Sequence, residues 1–252
     1  MIPIITLSYV FRLLIFLFLF TGFSNKHSET KPKTVSGFAI VELFTSEGCS
    51  SCPAADAAII DLSERFSENV YFLGYHVDYW DYLGWKDEYS SKSFTKRQEQ
   101  YANEFKLNSI YTPQVIVNGK TEFVGSDKNK LAQTITDELK NTTTVNIVLN
   151  AKPEGTDKIK VTYKISGAHD NEQLNIALIQ LMATTQVKRG ENHDRELQHI
   201  NIVRELKTIN ATDGSMAFTL PPDLSAKDIK IIAFIQNKNN LSISGAAEAK
   251  IE

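Results

Sequence analysis

Two cysteines in 252 residues are too few for most of the chemistry that cysteine usually carries. A disulfide-stapled scaffold needs several pairs, and a structural zinc site of the usual kind needs a second ligand pair that is missing here. Methionine is scarce too, with three in the chain, so there is no thioether cluster to hold Cu(I). An excess of one charge sign is also lacking. Lys and Arg number 27 against 30 Asp and Glu, a net charge of −3, and no long run has one sign. That excludes a basic field for nucleic acid or anionic lipid, and a polyelectrolyte tail. No segment repeats another and none is of low complexity.

What is present is ordinary globular composition, 42% hydrophobic and 23% charged, in a length that suits one large domain or two ordinary ones. The N-terminus stands apart. Met1 to Phe23 carries one charged side chain, Arg12, followed by the apolar run Leu13 to Phe20 and small residues at Gly22 and Ser24. This is the plan of a signal peptide over residues 1–24; an uncleaved membrane anchor is the alternative. Either way the rest of the chain is expected outside the cytoplasm, in a periplasm or cell envelope, touching a membrane only through that segment. Residues 25–36 are polar and of mixed charge, and read as a linker.

Beyond the linker the pattern alternates between strand and helix. Phe38 to Phe44 is a buried-strand run, and Ser50 to Phe66 has helical spacing at Ala55, Ala58, Ile59, Leu62 and Phe66. Val70 to Val77 is a second strand and Phe94 to Phe105 a second helix. Gln114 to Val117 and Lys120 to Val124 flank Asn118-Gly119, a two-residue hairpin signal, and Asp127 opens a closing helix. This order predicts an α/β thioredoxin-like domain over 37–142. From 143 to 252, period-2 runs separated by turn residues predict about seven strands and an all-β, immunoglobulin-like sandwich domain.

Cys49 and Cys52 sit three apart, between the first strand and the first helix. A bridge closing so short a loop removes little unfolded-state entropy, about 2 kcal/mol against about 3 for fifteen residues, so it is a poor staple. It suits a pair that opens and closes. The helix N-terminus favours a thiolate at Cys49, and Cys52, one turn on, is placed to resolve a mixed disulfide. Pro53 lies in the first turn, where its missing N–H costs least. The cofactor is then the Cys49–Cys52 disulfide itself. Pro113, at a strand start before the hairpin, has the layout of a cis-proline loop facing a dithiol; an ordinary trans turn is the bland alternative. The backbone of Thr112 would pair with a substrate strand.

The stretch Val41 to Cys52 resembles the first strand and active site of glutaredoxins. Thr112-Pro113-Gln114-Val115-Ile116-Val117-Asn118-Gly119 with Gly125-Ser126-Asp127 resembles their cis-proline and glutathione-carboxylate loops. That likeness implies substrate binding by Thr112, Gly125, Ser126 and Asp127 and catalysis by Cys49, Cys52 and Pro113. The departure is Ser50-Ser51 in place of the usual Pro-Tyr. More closely, Glu42 to Cys52, His76 to Trp85, Tyr111 to Gln114 and Arg189-Gly190-Glu191-Asn192 resemble a secreted bacterial family of thioredoxin-like proteins catalogued as a domain of unknown function (DUF twelve-twenty-three).

Auxiliary candidates divide between chemistry and packing. Glu42 either points under the dithiol or away from it. His76 either faces the thiolate or a metal, or is a satisfied strand-end histidine. Trp80 belongs to an aromatic run, Asp78 to Trp85, that is either a substrate lip or a small core. Asp56 reads as a solvated helix residue, and Lys188 to His193 as a charged hairpin tip that closes over the site, binds a partner or is inert. The function expected is an exported thiol–disulfide oxidoreductase acting on protein or small-molecule clients. A Cu(I) or other metal-binding module using Cys49, Cys52 and His76, and a scaffold with a vestigial redox fold, are the competing readings.

Overall fold

A computed structural model describes residues 34–251, so the expected signal segment and most of the linker fall outside the described residues. Among those described, no helix is long and apolar enough to cross a membrane. The first half forms its elements where the apolar periodicity places them. These are β1 (Ala39–Thr45), α1 (Cys52–Arg65), β2 (Val70–His76), α2 (Lys92–Glu104), β3 (Gln114–Val117), β4 (Thr121–Val124) and α3 (Lys128–Glu138). A 3-10 helix, Asp78–Leu83, opens the aromatic stretch. Asn118 and Gly119 both take positive φ, 49° and 64°, in the tight β3–β4 turn, where a Cβ on residue 119 would strike the Leu241 carbonyl. Asp127 accepts from the Lys130 N–H at 3.0 Å and caps α3.

The second half is all strand but does not form a separate sandwich. Its strands are β5 (Asn146–Glu154), β6 (Lys158–Ser166), β7 (Glu172–Gln186), β8 (Glu196–Asn210), β9 (Gly214–Thr219), β10 (Ile229–Asn237) and β11 (Ile243–Lys250). Four of them extend the sheet of the first half, giving one eight-stranded mixed sheet in the order β11-β10-β7-β8-β2-β1-β3-β4. The join is parallel and narrow, at Gly74 opposite Ile202. Only β5, β6 and β9 make a second sheet. This overturns the expected thioredoxin-like domain followed by an immunoglobulin-like sandwich: the protein is mostly β, and its main sheet crosses the supposed boundary.

The physical reason lies in β7 and β10. Strands of a two-layer sandwich bury one face, but Leu174, Ile176 and Leu178 are buried together with Ala177 and Ile179. In β10, Ile231, Ala233 and Ile235 are buried together with Ile232 and Phe234. Strands buried on both faces belong in the middle of a sheet covered on both sides. One cover is the β5-β6-β9 sheet, whose Val161 and Phe218 meet Ile176 and Ile231. The other is α2, whose Phe94 and Tyr101 pack against Ile40, Phe44 and Tyr75 of the first half and Ile179 and Phe234 of the second. Helices α1 and α3 cover β1, β2 and β3 on the remaining face.

Helix α2 carries a charge into this apolar layer. Arg97 donates through Nε and Nη2 to the two carboxylate oxygens of Glu42, at 2.5 and 3.0 Å, and both side chains are buried. Tyr101 donates to the same carboxylate, and Gln236 of β10 donates to the Tyr101 hydroxyl at 2.8 Å. The guanidinium lies over the rings of Tyr75, Tyr101 and Phe234. Glu42 therefore points away from α1, into a satisfied structural pair. Removing one member of such a pair strands a buried charge. Arg97→Met is expected to lower the unfolding free energy by about 3–5 kcal/mol. A urea titration checks this, and a loss below about 1 kcal/mol, the scale of a surface pair, would contradict it.

Candidate disulfide site

Cys49 and Cys52 are joined, with Cα atoms 5.4 Å apart. The turn holding them is tight: the Cys49 N–H bonds the Ser46 carbonyl at 3.1 Å and the Cys52 N–H the Cys49 carbonyl at 3.2 Å. Cys52 is the first residue of α1, with Pro53 next to it. Ser51 is the N-cap, yet its hydroxyl makes no capping bond and lies 3.4 Å from Cys49 Sγ. Both cysteines are buried, Cys49 at 1% exposure, while Ser50 and Ser51 face solvent.

The Thr112–Pro113 peptide bond is cis. Trp80 links this loop to the disulfide turn: its indole N–H donates to Thr112 Oγ1 at 2.8 Å, and its Cβ stands where a side chain on residue 48 would have to go. A Cβ on residue 48 would lie 3.0 Å from that atom, so a larger residue there would press on Trp80. The Pro113 carbonyl accepts from the Gly125 N–H at 2.9 Å, which ties the expected carboxylate-binding loop to the proline. Ser126 is exposed, and Asp127 is engaged as the cap of α3. The aromatic run divides: Trp80 and Trp85 are half-buried and bonded into the site, while Tyr82 is 81% exposed beyond it.

Beneath the turn lies a buried charge cluster that sequence reading missed. Glu47 accepts from the Trp85 indole N–H at 2.7 Å. Its other oxygen is 3.5 Å from His199 Nε2, and His199 Nδ1 is 3.7 Å from Asp56 Oδ1. These are ion-pair separations, and neither imidazole nitrogen has a closer partner. Burial alone would pull His199 down, but Asp56 and Glu47 more than offset it and raise His199 to about 10. Asp56, expected at the solvated surface, is therefore a buried member of the cluster one helical turn after Cys52. His76 is not turned to the thiols. Its Nδ1 lies 2.6 Å from Asp87 Oδ2, and its ring stands edge-on to His199 at 4.7 Å. Asp87 also accepts from the Glu47 and Tyr89 N–H groups. Burial pushes Asp87 up, but His76 and these N–H groups hold it below the usual carboxylate range.

The roof comes from 140 residues away in the chain. Strands β7 and β8 run past the sheet as a long ribbon whose tip, residues 187–195, reaches the turn. Asn192, fully buried, donates through Nδ2 to the carbonyls of Glu47 and Cys49 at 2.8 and 2.9 Å. Glu191 accepts from the Ser50 N–H at 3.1 Å. Asn192 and Glu191 lie in the Lys188 to His193 stretch, for which closing over the site was one of the sequence readings, and the tip does reach the disulfide turn. His199 carried no sequence signal, since one histidine in an alternating strand is uninformative. Among the described residues no group of three or more His, Cys, Asp or Glu side chains is arranged to hold a metal ion, so the Cys49–Cys52–His76 ligand set is not assembled.

The model of a family described as protein of unknown function (DUF1223) matches residues 40–236. The chain belongs to this family. The match spans the disulfide, the cis-proline loop and the ribbon tip, so the DUF1223 unit includes both halves of the main sheet. Among solved structures, protein AGR_C_4864 from Agrobacterium tumefaciens is similar, at 28% identity and a TM-score of 0.63, covering 85% of this chain and 94% of that one. HBP35 of Porphyromonas gingivalis is similar in fold, at 19% identity and a TM-score of 0.54, covering 88% and 77%. No curated protein matches the chain.

The cluster makes a pH prediction. His199 is raised above 6.5 in the folded state, so its stabilisation is complete below pH 6.5 and is lost as pH rises through about 10. The urea midpoint should fall across that window, and His199→Gln should flatten the fall. Parallel curves for the two proteins would rule out a charged His199.

Proposed function

We propose that this DUF1223 protein is an exported thiol–disulfide oxidoreductase whose working group is the Cys49–Cys52 pair. The observation that carries the reading is the disulfide itself. It closes a loop too short to be a useful staple, at the start of a helix, in a turn that Trp80 links to the Thr112–Pro113 loop. Unpaired N–H groups and the positive end of α1 favour a thiolate at Cys49 once the bond opens. The Ser51 hydroxyl, free of capping duty, is placed to donate to that anion.

The exchange runs in balanced steps. The Cys49 thiolate attacks a client disulfide, one client sulfur joins Cys49 in a mixed disulfide, and the other leaves as a thiolate with the electron pair. Cys52, as a thiolate, then attacks Cys49 Sγ, re-forms the internal bond and releases the second client sulfur. The client has gained two electrons and the pair has lost them; the reverse sequence oxidises a client dithiol. The free backbone of Thr112 supplies a place for an extended client segment to pair, with Trp80 beside it.

Two measurements on one preparation test this. Cys52→Ala should trap clients on Cys49 as mixed disulfides that reductant releases, and Cys49→Ala should trap none. A glutathione-buffer titration should then place the pair between about −120 mV, where it oxidises clients, and about −270 mV, where it reduces them. A pair that stays closed through this range, with no trapped client, would reject the proposal.

A further inference from the structure

The disulfide is shut beneath a contact that no redox step needs. Glu191 and Asn192 lie at the tip of the β7–β8 ribbon, and both bind the backbone of the disulfide turn rather than its sulfurs. We propose that these two residues form a latch on the redox pair: Asn192 pins the turn shut over Cys49, and the Glu191 carboxylate competes with the Cys49 thiolate for the positive end of α1. The inference rests on reading the pair as a redox site, and it names how that site is controlled.

The two contacts differ in kind. Asn192 is fully buried and spans the Glu47 and Cys49 carbonyls with one amide group, so the turn cannot move without breaking both bonds. Arg195 donates to the Asn192 oxygen at 3.2 Å and fixes the amide from behind. Gly190, at φ +76°, lets the tip pass the Trp85 side chain. The Glu191 bond to Ser50 lies at the surface, where water or a client backbone can displace it. A bond to a charged acceptor there uses an N–H of the loop from Cys49 into α1, and places a negative charge on the backbone of the residue next to Cys49, whose sulfur must become an anion. The Ser50 side chain and, after it, the Ser50 N–H hold the Glu191 carboxyl below its usual range. Other charged groups at the turn are Glu47, Asp56, Asp87 and His76 beneath it, and His199 and Arg195 on the ribbon itself.

The latch therefore acts as a positioning device with two separable effects. Asn192 limits access to the bond, and Glu191 limits the stability of the thiolate. A client that engages the Thr112 loop and takes over the Ser50 N–H would both open the turn and activate Cys49, which ties reactivity to docking.

The test uses the full folded protein with dithiothreitol as reductant and iodoacetamide as thiol probe. Asn192→Ala should speed reduction of the disulfide roughly tenfold, the scale of a lost pair of buried hydrogen bonds. Glu191→Gln, which keeps the acceptor and removes the charge, should shift the alkylation profile of reduced Cys49 to lower pH, and added salt should shift the wild type the same way. Lys188→Gln, on the exposed tip, should match wild type in both. If Asn192→Ala does not fold, Glu191→Gln carries the test alone, because its bond lies at the surface. Wild-type rates and profiles in every folded variant would overturn the latch. The redox reading fails differently: dithiothreitol opens the pair, but glutathione buffers do not and Cys52→Ala traps nothing.

Discussion

The pairing of Arg97 with Glu42 is the interaction on which the arrangement turns. It sits where α2 crosses the sheet, and the hydrogen bonds of that helix run in both directions. On one side they pass through Tyr101 to Gln236 of β10. On the other, the neighbouring Gln98 donates to the Tyr111 carbonyl and the Gln114 side chain, at the foot of the Thr112–Pro113 loop. A buried charge accepts only a narrow geometry, because each unsatisfied proton or lone pair in a low dielectric costs free energy. The pair thereby ties β10 to β1, and Gln98, the next residue of α2, holds the foot of the loop by bonds of its own.

Much of the first half was legible because its signals are local. Helical spacing from Ala55 to Phe66, the Asn118-Gly119 turn, the cap at Asp127 and the Cys49–Cys52 spacing each act within a few residues. The fold class was misread because a period-2 pattern reports one buried face and says nothing about the neighbouring strand. The corrective signal was present in Ile176 to Ile179 and Ile231 to Ile235, which are apolar at successive positions rather than alternate ones. Strands of that kind are central strands, and central strands need a sheet on either side.

The site was half legible for the same reason. Cys49 and Cys52 are joined, and Trp80 links their turn, at Gly48, to Thr112 of the cis-proline loop. Glu42 and His76, whose orientation a strand does not reveal, turn to partners of their own, Arg97 and Asp87. The residues that floor and roof the disulfide, His199 and Asn192, lie about 140 positions downstream. Their relevance comes only from the β2–β8 join, which a single bridge at Gly74 establishes.

That join sets an order of events in the life of the chain. The cysteines, α1 and their strand leave the ribosome long before β8 exists, and contacts between distant segments form late because the loop between them must first close. Until the ribbon tip arrives, the disulfide turn lacks the Asn192 and Glu191 contacts that cover it. The guard over the cysteines is therefore a property of the finished chain alone: a chain that stops short of its ribbon carries the same pair with nothing above it.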